Sequence, residues 1–512
     1  MEIYFVLLCL AAVIGLYFYN NPLGHSNWFL MRRFINWFPL GMTYAFLYMG
    51  RYNLQVSKNA LGSLMSKEDF GIIFGAGTFV YAFSFLVNGP LVDKIGGKRG
   101  ILIAAVGSAA ANIVLGVLTY FVVMGKLQIN LVLAYAVVYA VNMYFQSYGA
   151  VSIIKVKAYW FHVRERGVFG AIFGTLISFG IYFAFDWGAA IVTMTKAGSL
   201  ASAGWFHKTL RHIFAVDTRA VDATWAIFFI PAVIMLFWAL MDWWLIKDTP
   251  EEAGFPYLDT HDASSGEMHI QLTTADLLKK IFASKLMLVI AAVELTSGVL
   301  RNGIIQWYTI FAHEVPQVGA KYFQDNWGFL LCLFGIAGGF TGGLVSDKLF
   351  QSRRGPPAAL LGAVMFLLTS LMVVFLFRSA VAVALLALLM SAAVIGVHSL
   401  MSGTAAADFG GRKATATCSG IVDGFVYLGS TIQSLGIGFL TPKDHTLSQV
   451  PDVVFSFSEL AGRSWYWWPV FLIPFALLGT LLAGIIWYEL PAATRKYLAQ
   501  LKRDPNSPKP KE

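Results

Sequence analysis

Charge is what this sequence has least of. Of 512 residues only 13% are Asp, Glu, Lys or Arg, about half the roughly 25% of a soluble domain. So few charges cannot cover a water-facing surface, which excludes an ordinary soluble enzyme and a disordered chain. Cysteine is nearly missing too. Cys9, Cys332 and Cys418 sit in separate apolar runs with no CxxC partner, so neither a secreted disulfide scaffold nor a zinc site is indicated. No Walker loop, metal cluster, haem motif or nucleophile elbow is visible, and nothing points to an enzyme, a resident cofactor or an ATP-driven pump. An outer-membrane barrel would need alternating apolar and polar residues, and these runs do not alternate. The net charge of +9 reads as loop charge that sets topology, not as a nucleic-acid surface.

What is abundant is apolar. The chain is 57% hydrophobic and 15% aromatic, with a mean hydropathy of +0.66. A helix crossing a bilayer needs about 20 mostly apolar residues, and such helices satisfy their own backbone groups in lipid. Runs of this kind lie near 3–19, 35–57, 70–92, 100–123, 130–153, 168–190 and 224–246, then near 286–312, 324–346, 357–377, 380–404, 414–440 and 467–489. A polar stretch from Lys247 to Lys285 separates the two sets. The expected fold is an all-α polytopic membrane protein: an extra N-terminal transmembrane helix (1–30), an N-terminal six-helix bundle (31–246), a cytoplasmic central loop (247–285), a C-terminal six-helix bundle (286–490) and a cytoplasmic tail (491–512). The first run has Glu2 and no basic residue before it, unlike a signal peptide, and is read as a retained helix with its start outside. The central loop reads as a flexible bridge, and 195–223 as a long external insertion.

Basic residues assign the sides. With the central loop and tail inside, the inner loops carry 24 of the 37 Lys and Arg and the outer ones 11, as the positive-inside rule requires. The two left over, Arg51 and Arg301, fall inside apolar runs. The halves are also related internally. NGPLVDKIGGKRG (88–100) returns as TGGLVSDKLFQSRRG (341–355), placing Asp93 and Asp347 254 positions apart, while Arg51 and Arg301 are 250 apart. Repeats of this kind build secondary transporters with a site near the midplane between halves.

GPLVDKIGGKR (89–99) resembles the G-x-L-x-D-x-x-G-x-[KR] loop of the major facilitator superfamily, and its second copy lies at the matching place in the other half. The resemblance implies two six-helix bundles with pseudo-twofold symmetry. It implies for Asp93, Lys98, Arg99 and Asp347 a role in latching one conformation, not in binding substrate.

An arginine inside the bilayer costs at least about 2.5–3.5 kcal/mol. One acidic ligand held by Arg51 and Arg301 near the twofold axis would offset both, and a guanidinium's planar fork suits phosphate. The competing readings are snorkelling, since Lys58 is only seven residues from Arg51, and pairing of Arg301 with Glu294, seven residues before it. Tyr44 and Tyr48 precede Arg51 by seven and three positions and share its helical face. Tyr81 and Tyr427 are further candidates for donating to an anion without adding charge. Asp423, Glu294 and Gln306 are candidate coupling or ion-pair residues, and His398 reads as a packed neutral histidine. Lys155 and Lys157 serve either topology or anion attraction.

Five further segments sharpen the resemblance. YAFLYMGRYN, WFHVRERGVFG, KDTPEEAGFP, VLRNGIIQW and KATATCSGIVDGFVYLGS are similar, in order, to stretches of the organophosphate:phosphate antiporter family, which includes glycerol-3-phosphate and hexose-6-phosphate transporters. That resemblance implies exchange of an organic phosphate for inorganic phosphate, with Arg51 and Arg301 on the phosphoryl group, in a monomer of the inner membrane with no partner but its small anionic substrate and lipid. Against glycerol-3-phosphate transporters, a helix-five His becomes Ile177, a Lys after the first Arg becomes Tyr52 and a helix-two Lys becomes Phe85. Acids in helices seven and eight become Gln306 and Cys332, and a Trp-Pro-Pro stretch becomes Ala150, Val151 and Ser152. The clamp is kept while its charged surroundings are replaced, which leaves open another organic phosphate, a carboxylate or a sulfonate. The same family includes transporter-like sensors of hexose phosphate, the alternative class.

Overall fold

The computed structural model describes residues 2–162, 165–195, 208–209, 212, 224–260, 274–315, 320–350, 353–443 and 455–489, with the side chains of several positions inside these ranges left out. Almost all of the insertion at 195–223, and the tail at 491–512, lie outside the described residues. The helices are α1 (Glu2–Tyr19), α2 (Asn27–Leu61), α3 (Lys67–Ile95), α4 (Gly97–Val123), α5 (Leu131–Trp160), α6 (Arg166–Tyr182) running through a π-helical turn (Phe183–Trp187) into α7 (Gly188–Thr195), and α8 (Ala226–Leu245). They continue as α9 (Thr274–Ala283), α10 (Lys285–Glu314), α11 (Lys321–Asp325), α12 (Trp327–Leu349), α13 (Gly355–Phe375), α14 (Ala380–Leu440) and α15 (Trp467–Ile485). Eight spans among the described residues are long and apolar enough to cross a membrane.

Local chemistry sets where the helices begin. Ser26, Asn130, Ser284 and Ser379 each accept a backbone N–H of the first turn they precede, and Ser66 with Asp69 forms a reciprocal capping box at α3. The central stretch, expected as a flexible bridge, contains α9. Its Ile281 is buried and Leu278 partly so, because the apolar positions of TADLLKKIFA fall on one face.

α14 carries two of the expected spans under one continuous helical assignment, yet it cannot be straight. Ser402 Oγ donates to Asp423 Oδ1 at 2.7 Å, whereas 21 residues of straight helix would separate them by about 31 Å. The chain therefore reverses between these positions. Counting its two limbs and taking α6 to α7 as one, six long helices pack in each half among the described residues, with α1 outside them.

Two seams join the halves. Along one, α3 lies on the second limb of α14. A Cβ on Gly71 would meet Ser434 O at 2.6 Å, and Thr78 and Thr431 share a hydroxyl hydrogen bond of 3.0 Å. Along the other, α6 and its π turn face α12. α1 packs beside this second seam, with Phe5 edge-on to Phe329 at 5.7 Å. Its far end is tied down by Tyr17, which donates to Leu30 O at 2.8 Å and accepts from Arg33 Nε at 3.0 Å. Arg33 grips Glu165 with both terminal nitrogens at 2.9 Å. Burial pushes the Glu165 carboxyl up, but neighbouring His25 and Arg33 outweigh it and hold it at about 2.

Candidate functional site

Arg51 stands ten residues before the end of α2 (Asn27–Leu61) and exposes no surface. Every nitrogen of its guanidinium is used. Nε donates to Gln146 Oε1 of α5 at 2.9 Å, one terminal nitrogen donates to the Tyr81 hydroxyl of α3 at 2.9 Å, and the other donates to the Tyr427 hydroxyl of α14. The rings of Tyr48, Tyr81 and Tyr427 surround its carbon at 4.8, 4.7 and 5.3 Å, which adds cation–π stabilisation. Gln146 is itself oriented by Ser108 and Asn142 at 3.1 and 3.3 Å. Among the described residues no carboxylate bonds to Arg51.

Arg301, in α10, is 6% exposed and donates to the Tyr48 hydroxyl at 3.2 Å. Its Nε is buried without a hydrogen-bond partner. Tyr48 therefore joins the two halves of the site: its hydroxyl holds one guanidinium and its ring faces the other. Two buried cations of like sign share this centre with neutral phenols, and one still has a donor to give. A further link runs beside them, where Tyr52 donates to Asn302 Oδ1 at 3.0 Å and Asn302 donates to Ser430. The Lys-to-Tyr departure at position 52 thus contributes a neutral tie between halves.

The remaining candidates distribute unevenly. Tyr44 is buried edge-on to Tyr48 at 5.4 Å and makes no described hydrogen bond to either arginine. Gln306 gives its carbonyl to Gln55, while its side-chain amide is buried and unpartnered. Glu294 does not pair with Arg301. Its Oε2 lies 3.0 Å from His398 Nδ1, so His398, expected as a packed neutral histidine, is hydrogen-bonded to a buried carboxyl group. Asp423 accepts from Ser402.

The repeated loop motif closes one end. Asp93 Oδ1 accepts from Lys155 Nζ at 2.9 Å in its own half. Its Oδ2 accepts from the Thr417 amide at 3.1 Å and hydroxyl at 2.8 Å in the other half. Gly89 permits this approach, since a Cβ there would meet Thr417 Cα at 3.0 Å. Lys98 contributes its amide, which donates to Asp248 Oδ1 at 2.8 Å; Arg99 is exposed. No hydrogen bond or ion pair of either side chain to the other half is found among the described residues. The Asp347 side chain lies outside them.

Sequence reasoning missed the opposite end. Glu314 of α10 sits between Lys58, at 3.1 Å, and Lys67 of the other half. Asp186 of the π turn accepts the first amides of α12, from Gly328 and Phe329, both at 2.8 Å, where a carboxylate is favoured by the helix dipole. Each residue, seen alone, is an ordinary charge near a helix end, so the sequence carries no signal that these pair. Contacts between the halves therefore lie on both sides of the arginines: Asp93 with Thr417 on one, and Glu314 with Lys58 and Lys67 and Asp186 with α12 on the other.

The comparisons agree with this architecture. The profile of the Major Facilitator Superfamily matches residues 33–434, and the chain belongs to that superfamily, whose members are membrane transporters and not enzymes. The glycerol-3-phosphate transporter of Bacillus subtilis is 23% identical over 74% of this chain and 79% of its own length. The membrane sensor protein UhpC of Escherichia coli is 25% identical over 76% and 81%, and a probable hexose phosphate transport protein of Chlamydia pneumoniae is 23% identical over 73% and 77%. These relatives belong to the organophosphate:phosphate antiporter group that the helix-one and helix-seven segments resemble. Among solved structures, an inward-facing bacterial homologue of the human lysosomal transporter Spinster superposes with a TM-score of 0.65 at 13% identity, covering 90% of this chain and 98% of that one. The fucose transporter FucP in its outward conformation gives 0.57 at 15% identity, covering 89% and 99%. These likenesses concern the fold alone.

Proposed function

We propose that the protein is a secondary transporter that exchanges a phosphorylated organic metabolite for inorganic phosphate by alternating access. The observation that carries this reading is the pair of buried guanidiniums, one from each half, held by phenols and an amide, with no carboxylate bonded to either among the described residues. A phosphate monoester carries about −1.5 to −2 charge near neutral pH, so two arginines nearly match it. The free Nε of Arg301 is a donor waiting for an acceptor. A bound anion is shared by two guanidiniums from opposite halves, which favours movement of a loaded carrier over an empty one. The basic loops support the part of this reading that puts the Asp93 end and the tail on the cytoplasmic side of an inner membrane, and the reading takes the working unit as a monomer.

The test is exchange in proteoliposomes loaded with inorganic phosphate and supplied with labelled phosphate outside. Robust exchange that is lost in both Arg51→Ala and Arg301→Ala supports the antiporter, and competition by organic phosphates then identifies the substrate. No exchange by folded, inserted protein rules out phosphate antiport. The similarity to UhpC favours one second reading, a membrane sensor of sugar phosphate. Phosphate-ester binding without flux is its signature. The neutral side chains of Tyr52, Phe85 and Ile177 where glycerol-3-phosphate transporters are charged argue for a different organic group, and a non-phosphate anion is the outcome if phosphate fails to bind.

A further inference from the structure

The charges around the arginines make a second, unassigned site. From α10 come Arg301 and Glu294, about 10 Å apart along the axis at two turns' separation. The first limb of α14 brings His398 and the second brings Asp423 and Tyr427, while α2 brings Arg51 and Tyr48 and α3 brings Tyr81. Arg301 and Asp423 lie within electrostatic reach of both Glu294 and His398, and Asp423 also senses Arg51. With His398 neutral, two arginines face two carboxylates and the empty centre sums to zero. A phosphate dianion entering it leaves an excess of two negative charges in a low-dielectric interior, at a cost of several kcal/mol per unbalanced ion.

We propose that Glu294 and His398 form a proton-binding site that fills when an anion enters the two-arginine centre, so that a phosphate dianion is bound together with a proton held by the protein. This rests on the anion reading above. The pair is the suitable carrier. Glu294 is fully buried, shares one oxygen with His398 Nδ1 at 3.0 Å and leaves Oε1 buried with no partner. His398 is the less enclosed member of the pair, with 28% of its side-chain surface accessible. Asp423 is committed to Ser402. Binding is then linked to protonation, and each raises the affinity for the other.

Titration calorimetry of purified protein with inorganic phosphate, at mildly alkaline pH in two buffers of different protonation enthalpy, tests this. The expected result is uptake of about one proton per phosphate bound in the unsubstituted protein, lost in Glu294→Gln while phosphate still binds. His398→Asn decides the case if Glu294→Gln does not fold. Binding heat that is the same in both buffers overturns the proposal and leaves the anion site standing. So does proton uptake that persists unchanged in both variants, since the proton then rides on the phosphate. No binding heat at all overturns the anion reading, and this proposal falls with it.

Discussion

The two arginines are equivalent by position and unequal by environment. Arg51 has three neutral acceptors and three rings about it, while Arg301 has one acceptor and a free Nε. Arg51 is held as a fixed charge, and Arg301 has the spare donor that a ligand takes. Arg301→Lys keeps the charge and removes the fork, and phosphate affinity is expected to fall by about 10–100-fold, the worth of one or two charge-assisted hydrogen bonds. Tyr48→Phe removes only an acceptor from Arg301, and its effect is expected to stay within about tenfold. Equilibrium binding of labelled phosphate checks both, and a larger loss in Tyr48→Phe than in Arg301→Lys would contradict the ordering. The sequence made Arg51 and Arg301 legible because a charge in an apolar run needs a reason. It hid Gln146, which looks like any polar residue in a packed helix and becomes an arginine ligand only when α5 meets α2. It suggested Glu294 as the partner of Arg301 from helical spacing, which cannot register His398 arriving from another helix.

At the scale of elements, the apolar runs fall on described helices, eight of which are long and apolar enough to cross a membrane, because length and hydropathy are local properties. They did not show which helices touch, which glycine decides at close range. A Cβ on Gly298 would stand 1.9 Å from Val426 O, and one on Gly429 would stand 2.0 Å from Leu295 O, so α10 and the second limb of α14 cross almost backbone to backbone. Gly298→Ala must push them apart and is expected to destabilise the C-terminal half by about 1–3 kcal/mol, read as a lower Tm in detergent. The tether of α1 makes a different prediction. Glu165 is held at about 2, below an ordinary glutamate near 4.3. Its contribution is therefore complete above the ordinary value and is lost as pH falls from about 4 towards 2. Amide hydrogen exchange in α1 is expected to quicken over that window. In Glu165→Gln it is expected to be fast already at neutral pH and to lose that part of the pH dependence. An identical acid response in both proteins would show that Glu165 does not secure α1.

For the whole molecule, the question is what keeps both ends shut. Asp93 closes one end by accepting from Lys155 of its own half and Thr417 of the other. Glu314 closes the other by holding Lys58 and Lys67. The repeat in the sequence announced the first closure and not the second, which joins residues that share no motif. Removing one partner of a buried pair costs about 3–5 kcal/mol, as much as a large shift between two conformations requires. In the alternating-access cycle proposed above the two closures oppose each other, so weakening one biases the protein towards opening at that end. Asp93→Asn is expected to expose the Asp93 end and Glu314→Gln the Glu314 end. The check is thiol labelling of single cysteines placed along the α3–α14 seam near each end, in a background where Cys9, Cys332 and Cys418 are replaced by Ser. Each variant should raise labelling at its own end and lower it at the far one, because the halves rock as bodies. Labelling that rises at both ends together would mean that the substitutions loosen the fold instead of shifting its equilibrium, and that the carboxylates are struts and not gates.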